Sequence, residues 1–186
     1  MEIREIESFD GQIIKGLYIL KPNIFKDDRG FFMEIWNKQT FNSLIGENIE
    51  FVQDNHAKSL KGIIRGLHYQ IPPFAQGKLV RCVKGKIYDV AVDLRRESLT
   101  FKKWVGITLD AISHHQVWIP PGFAHGYLTL SEDAEVLYKT NQFWNKNSER
   151  SIVWNDPILN IKWPIEEEIK LSEKDLNAPK FNYLDI

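Results

Sequence analysis

A β-sandwich or β-barrel with closed or protected edges and little helix is the fold class this 186-residue sequence predicts. Short apolar or alternating runs recur at roughly 8–12-residue spacing, and Gly and Pro punctuate them. The 11 Phe, 6 Trp and 6 Tyr suit thick sheet packing. In chain order, Leu17 to Leu20 is the first run, stopped by Pro22. Leu79 to Val83 and Ile87 to Leu94 follow, and the intervening Lys84-Gly85-Lys86 reads as a tight hairpin. Ile107 to Leu109 ends at Asp110, and Gln116 to Ile119 ends at the Pro120-Pro121-Gly122 turn. Tyr127 to Leu130 and Glu135 to Thr140 complete the series, separated by Ser131-Glu132-Asp133. One helix is expected over Lys38 to Leu44, with Asn37 as N-cap and Gly46 as terminator. The stretch Glu166-Glu167-Glu168, continuing through Ile169, Leu171 and Lys174, reads as a second short helix or an irregular tail. No linker, repeat or low-complexity tract divides the chain, so residues 1–186 are expected to form one domain.

Composition narrows the function classes. Lys plus Arg is 24 and Asp plus Glu is 25, a net charge of −1, which provides no basic field for a nucleic acid polymer. The lone Cys82, inside the apolar run Leu79 to Val83, excludes a disulfide framework and reads as a small buried hydrophobe. Met1 to Glu5 lacks the apolar heart of an export signal, and no run nears the ~18 apolar residues of a membrane-spanning helix. A soluble cytoplasmic globule is the expectation.

Three segments concentrate polar groups inside β-like sequence: Gln53-Asp54-Asn55-His56, Arg65-Gly66-Leu67-His68-Tyr69-Gln70 with Lys78 beyond it, and Pro120-Pro121-Gly122-Phe123-Ala124-His125-Gly126. A strand through Arg65 to Gln70 puts His68 and Gln70 on one face. If that face is interior, it lines a polar cavity. Gly62 with His68, and Pro120-x-Gly122-x-x-His125, resemble the two motifs of the cupin jelly-roll superfamily. Metal-binding members carry His-x-His and a following Glu; here Gln70 replaces the second His and Ile71 to Ala75 supplies no Glu. A metal site built on His68 and His125 is therefore disfavoured, and no cofactor is expected. A metal-free pocket of this kind suits proton removal beside a carbonyl, which needs a base, a partner for the enolate oxygen, and an acid. His68 is the natural base, since an unperturbed imidazole titrates near ~6.5. Lys78 is a candidate for the enolate oxygen. The Tyr138 hydroxyl is a candidate acid, with cross-strand packing as its alternative role.

At these residues the sequence resembles the dTDP-4-dehydrorhamnose 3,5-epimerase family of cupins. The likeness runs from Lys21-Pro22 to Asp175 through Asp28-Arg29-Gly30-Phe31-Phe32-Met33-Glu34, Phe51-Val52-Gln53-Asp54-Asn55, the Arg65 to Gln70 motif and Gln76-Gly77-Lys78-Leu79-Val80. It continues through Asp89 to Arg95, Ile119 to Gly126 and Trp154-Asn155-Asp156-Pro157. The resemblance implies a cupin-type jelly roll with short helices and terminal extensions. It implies His68 as general base, Asp175 as its carboxylate partner, Tyr138 as general acid, and Lys78 and His125 at the sugar or its enolate oxygen. Arg29, Glu34, Gln53, Asn55 and Arg65 match positions that hold the nucleotide and diphosphate, with Asp54 within that segment; Glu149 and Lys174 match further binding positions. Phe143-Trp144 stands where members commonly carry tyrosine, and Tyr127 where phenylalanine is usual.

The activity implied is cofactor-free inversion of C3 and C5 of dTDP-4-dehydro-6-deoxy-D-glucose to give dTDP-4-dehydro-L-rhamnose. Alternatives from the same motifs are a C3- or C5-only epimerase, a ketoisomerase, a metal-dependent cupin, and a non-catalytic sugar-nucleotide-binding protein. The resemblance also implies a homodimer in which the N-terminal region crosses to the neighbour. Arg29, Arg65 and Lys78 are expected to form a local cationic cluster for one diphosphate.

Overall fold

A computed structural model describes residues 1–166 and 168–182. The strands are β1 (Glu2–Glu7), β2 (Ile13–Lys21), β3 (Ile24–Asp27), β4 (Gly30–Met33), β5 (Gln53–Leu60), β6 (Ile64–Gln70) and β7 (Lys78–Lys84). They continue as β8 (Lys86–Asp93), β9 (Trp104–Asp110), β10 (Gln116–Ile119), β11 (Phe123–Thr129), β12 (Asp133–Thr140) and β13 (Glu149–Ser151). Two helices, α1 (Lys38–Ile45) and α2 (Glu173–Leu176), complete the described elements. A six-stranded sheet, β1-β2-β10-β7-β12-β5, faces a five-stranded sheet, β13-β6-β11-β8-β9, and β3 with β4 forms a separate hairpin. Neither main sheet closes on itself, so the architecture is the sandwich form of a jelly roll.

Side-chain alternation decides which residues meet between the sheets. Val80, Cys82, Val117, Ile119 and Val136 of the first sheet pack against Ile87, Ala91, Leu109, Phe123 and Tyr127 of the second. The outer faces are also covered. Leu79 and Trp118 lie under Phe41 and Ile45 of α1, with the Phe41 and Trp118 rings edge-on at 5.4 Å. Leu67, Val90 and Trp104 lie under Ile152, Leu159, Ile161 and Phe181 of the C-terminal segment. Each fully enclosed aliphatic contributes on the order of 1.5–3 kcal/mol. Because both faces of β7, β8 and β11 are buried, these strands read in sequence as continuous apolar runs rather than clean alternation.

Helix α1 forms as its caps dictate. Asn37 Oδ1 accepts the Thr40 N–H at 3.1 Å, and Gly46 closes the helix at φ +76°. Two expectations are corrected. Lys84-Gly85-Lys86 is not a hairpin, because β7 pairs with β10 and β12 while β8 pairs with β11 and β9. The link is a corner that carries the chain from one sheet to the other, with Gly85 at φ +73°. Adjacent apolar runs reveal strands but not their partners. The helix alternative for the acidic stretch is also corrected: the described residues of the stretch form the irregular tail, and helix starts later. Glu167 lies outside the described residues; Lys170 is held extended, donating to Gly62 O at 2.9 Å and accepting from Ile64 N–H at 3.1 Å. Helix begins only after Ser172, whose hydroxyl caps α2 by accepting the Asp175 N–H.

One close approach sets the register of the site. Strand β11 pairs with β6 through an irregularity between His125 and Tyr127, which puts His125 opposite His68. There Gly66 and Gly126 face one another. A Cβ on Gly126 would lie 2.7 Å from Arg65 O, and one on Gly66 would lie 2.6 Å from Gly126 Cα. Both obstacles are backbone, so the strands must part to admit either. Gly126→Ala is expected to lower stability by about 1–3 kcal/mol, read as a lower urea midpoint at unchanged slope; an unmoved midpoint would contradict this account of the approach.

Candidate active site

The same alternation that fills the core leaves polar residues facing inward at one end of the sandwich. A cavity of about 160 Å³ opens there. Gln53 and Asn55 of β5, Lys78 of β7, and Tyr138 and Thr140 of β12 form one wall. His68 and Gln70 of β6 and Glu149 of β13 form the facing wall, with Trp144 and Gln76 from loops.

His68 Nε2 lies 2.5 Å from Asp175 Oδ1. Burial works against the charge on Asp175, which is 3% exposed, but hydrogen bonds from His68, Ser172 and the Gly66 backbone outweigh it and hold its carboxyl below the usual range. An ionised carboxylate only accepts, so Nε2 is the ring nitrogen that donates to Asp175. The tail that brings Asp175 here is anchored by the Lys170 bonds to Gly62 and Ile64.

Lys78 is 9% exposed, and burial pushes its ammonium down to about 8 against the opposing charges of Asp89 and Glu149. Its Nζ donates to His68 O at 3.4 Å. His125 Nε2 bonds Asp89 Oδ2 at 2.8 Å; burial lowers the imidazole pKa and Asp89 pulls it back up. Burial raises the Tyr138 phenol, with Arg65 opposing, so it holds its proton at neutral pH. His68, Lys78 and Tyr138 thus share one small chamber.

Around them, Gln53 Nε2 donates to Asn55 Oδ1 at 2.8 Å, and Glu149 pairs with Lys174 at 2.7 Å. Burial favours the neutral Glu149 acid, but bonds from Lys174 and Trp144 prevail and keep its pKa low. Arg65 is exposed, donates to Ser59 Oγ at 2.8 Å, and lines an adjoining groove with His68, Lys174 and Asp175. Of the expected binding residues, Gln53, Asn55, Lys78 and Glu149 line the cavity, Arg65 and Lys174 line the adjoining groove, His125 lines neither, and Arg29, Glu34 and Asp54 lie away from both. Arg29 sits at the tip of the β3–β4 hairpin, paired with Asp27 at 2.5 Å and with its side chain 90% exposed. Glu34 is exposed beyond that hairpin and accepts from Asn37 Nδ2 at 3.3 Å. Asp54 points to the opposite side of β5, bonded to Lys139 at 2.9 Å. The cluster of Arg29, Arg65 and Lys78 is thus not assembled within one chain: the outward hairpin carries Arg29 away, and Arg65 on β6 lines the adjoining groove while Lys78 on β7 lines the cavity.

Gln70 lines the cavity beside His68 as strand alternation predicts, and Trp144, noted in the sequence only as a departure from the family pattern, lines it too; Asp89 has no role assigned by the sequence. For Asp89 a signal existed, since a carboxylate midway along a buried strand demands a partner. Cys82 is buried with its thiol pushed up to about 11, the inert hydrophobe expected of it. Among the described residues, no three His, Cys, Asp or Glu side chains converge as metal ligands.

Residues 12–183 match the family model described as dTDP-4-dehydrorhamnose 3,5-epimerase. The chain belongs to this epimerase family. It is 55% identical over 168 residues to the dTDP-4-dehydrorhamnose 3,5-epimerase of Shigella flexneri, covering 90% of this chain and 92% of that one. The epimerase from Elizabethkingia anophelis NUHP1 superposes with a TM-score of 0.89 at 46% identity, covering 97% of each chain. The dTDP-6-deoxy-D-glucose-3,5-epimerase of Legionella pneumophila Philadelphia 1, solved in complex with dTDP-4-keto-L-rhamnose, gives a TM-score of 0.89 at 43% identity over 96% of this chain and 93% of that one.

For an epimerase of this build, the Lys78 ammonium is present below about pH 8 and lost above it. The kcat/KM of the enzyme is therefore expected to fall on a basic limb near pH 8. Lys78→Gln is expected to remove that limb and to lower kcat/KM by about 10²–10³-fold. A profile flat to pH 10 in the unsubstituted enzyme would contradict the assignment.

Proposed function

We propose that this protein inverts C3 and C5 of dTDP-4-dehydro-6-deoxy-D-glucose, yielding dTDP-4-dehydro-L-rhamnose without a cofactor. The observation that carries the reading is the His68–Asp175 pair on one sheet facing Tyr138 on the other, with the buried Lys78 between the same walls. The C4 ketone acidifies the hydrogens on both neighbouring carbons. His68 takes the proton from C3 or C5, and Asp175 stabilises the imidazolium that results. Lys78, with His125 held by Asp89, meets the developing enolate oxygen. Tyr138 returns a proton from the opposite face, which inverts the centre, and the cycle repeats at the second carbon.

Gln53, Asn55, Arg65, Glu149 and Lys174 lie in the cavity or at its margin and are assigned to the nucleotide and its diphosphate, with Asp54 beside them on β5. Arg29 and Glu34 are assigned to the same nucleotide but in a neighbouring subunit. Support comes from their hairpin, which exposes Phe25 at 60%, Phe31 at 56% and Phe32 at 69%, an apolar surface suited to a second copy in a homodimer. We place the activity in the cytoplasm and in residues 1–186 acting as one domain.

The reaction leaves an isotopic record. In D₂O the enzyme is expected to place solvent deuterium at both C3 and C5 of the product, read by NMR. Label at C3 alone marks a single-centre epimerase, and no label at either carbon removes the proposal.

A further inference from the structure

Gln70 is the residue that breaks the His-x-His pattern in this sequence, and the reaction above gives it no part. It lines the cavity, is 5% exposed and stands two positions beyond His68 on the same face of β6. A buried amide must spend its hydrogen bonds somewhere. Gln70 spends them on loops. Its Nε2 donates to Phe74 O at 2.6 Å and to Phe143 O at 3.2 Å, and its Oε1 accepts the Asn145 N–H at 2.7 Å.

The two later partners flank Trp144, so one side chain grips the backbone on both sides of that residue. Trp144 lines the mouth of the cavity and is 55% exposed. Its backbone N–H is held by Gln53 Oε1 at 3.1 Å, and its indole bonds Glu149. A large indole left half open to solvent at a cavity mouth, yet tied through both its backbone N–H and its ring N–H, is a preset wall for a flat ring.

We infer that Gln70 is a positioning residue for nucleotide recognition: it clasps the Phe143–Asn145 segment so that the Trp144 indole stands ready to cover the pyrimidine ring of the dTDP-sugar. The inference rests on the function proposed above. Gln70 acts through the loop, and its bonds to Phe74, Phe143 and Asn145 leave its amide committed to the protein. The position that fails as a metal ligand serves instead to shape the binding site. The effect of losing the clasp is therefore on binding rather than on proton transfer.

The test titrates dTDP alone, by calorimetry, into the unsubstituted enzyme, Gln70→Met, Trp144→Ala and the double variant, alongside steady-state kinetics. Methionine keeps the length and packing of glutamine and removes its strong hydrogen bonds. Gln70→Met is expected to weaken dTDP binding and raise KM by about tenfold or more, with kcat within about threefold and its pH profile unmoved. The double variant should bind no worse than Trp144→Ala, since both changes disable the same wall. The Asn145 amide should exchange faster with solvent in ligand-free Gln70→Met, a readout that needs no ligand. Undiminished dTDP binding by Gln70→Met, a fall in kcat at constant KM, or losses that add in the double variant would each overturn the clasp. If Gln70→Met does not fold, Gln70→Glu takes its place: it keeps the acceptor for Asn145, sets a carboxylate against two carbonyls, and carries the same expectations. Failure of the unsubstituted enzyme to bind dTDP removes the functional reading itself, whereas binding equal in enzyme and variant removes the inference alone.

Discussion

The hydrogen bond between His68 and Asp175 is the constraint on which the rest of the site depends. It joins residues far apart in the chain, one on β6 and one on a four-residue helix near the C-terminus. A helix of this length has negligible stability by itself. It forms because Lys170 is stitched to β6 on one side, and Ser172 supplies the cap on the other. The imidazole is thereby held at the edge of the cavity through Nε2.

The cavity is costly to maintain. Lys78, His125, Asp89 and Asp175 are all buried, and each charged group there loses hydration that only partners restore. The compensation is local. Asp175 is balanced by His68, while Asp89 serves His125 and the field at Lys78. This pairing leaves Lys78 cationic near neutrality yet close to its titration point. Burial shifts the phenol of Tyr138 upward and the ammonium of Lys78 downward, favouring the neutral form of each.

Much of this was legible in the sequence. The cap at Asn37, the terminator at Gly46 and the strand Gln116–Ile119 follow from local chemistry and are found where that chemistry puts them. His68 and Gln70 share a face because a strand has period two. What periodicity does not carry is pairing. The Lys84-Gly85-Lys86 corner resembles a hairpin because both flanking strands are buried on both faces, and only their neighbours distinguish the two. Asp175 reads as a solvated tail residue, and only the family resemblance connects it to a histidine more than a hundred positions earlier; the structure supplies the Lys170 anchor that makes the connection physical. The roles of Asp89 and Gln70 are likewise set by partners across sheets and loops. Arg29 and Glu34 show the converse, since their place in a site is decided outside the single chain.

The central claim is that His68 and Tyr138 work on opposite faces of one sugar ring. It is tested most directly by comparing His68→Ala with Tyr138→Phe in D₂O, following deuterium entry and inverted product separately by NMR. His68→Ala is expected to lose both by about 10²–10⁴-fold, whereas Tyr138→Phe is expected to lose inverted product by a comparable factor and to retain deuterium exchange at carbons beside the ketone. Exchange by His68→Ala at the unsubstituted rate, or full inversion by Tyr138→Phe, would contradict it.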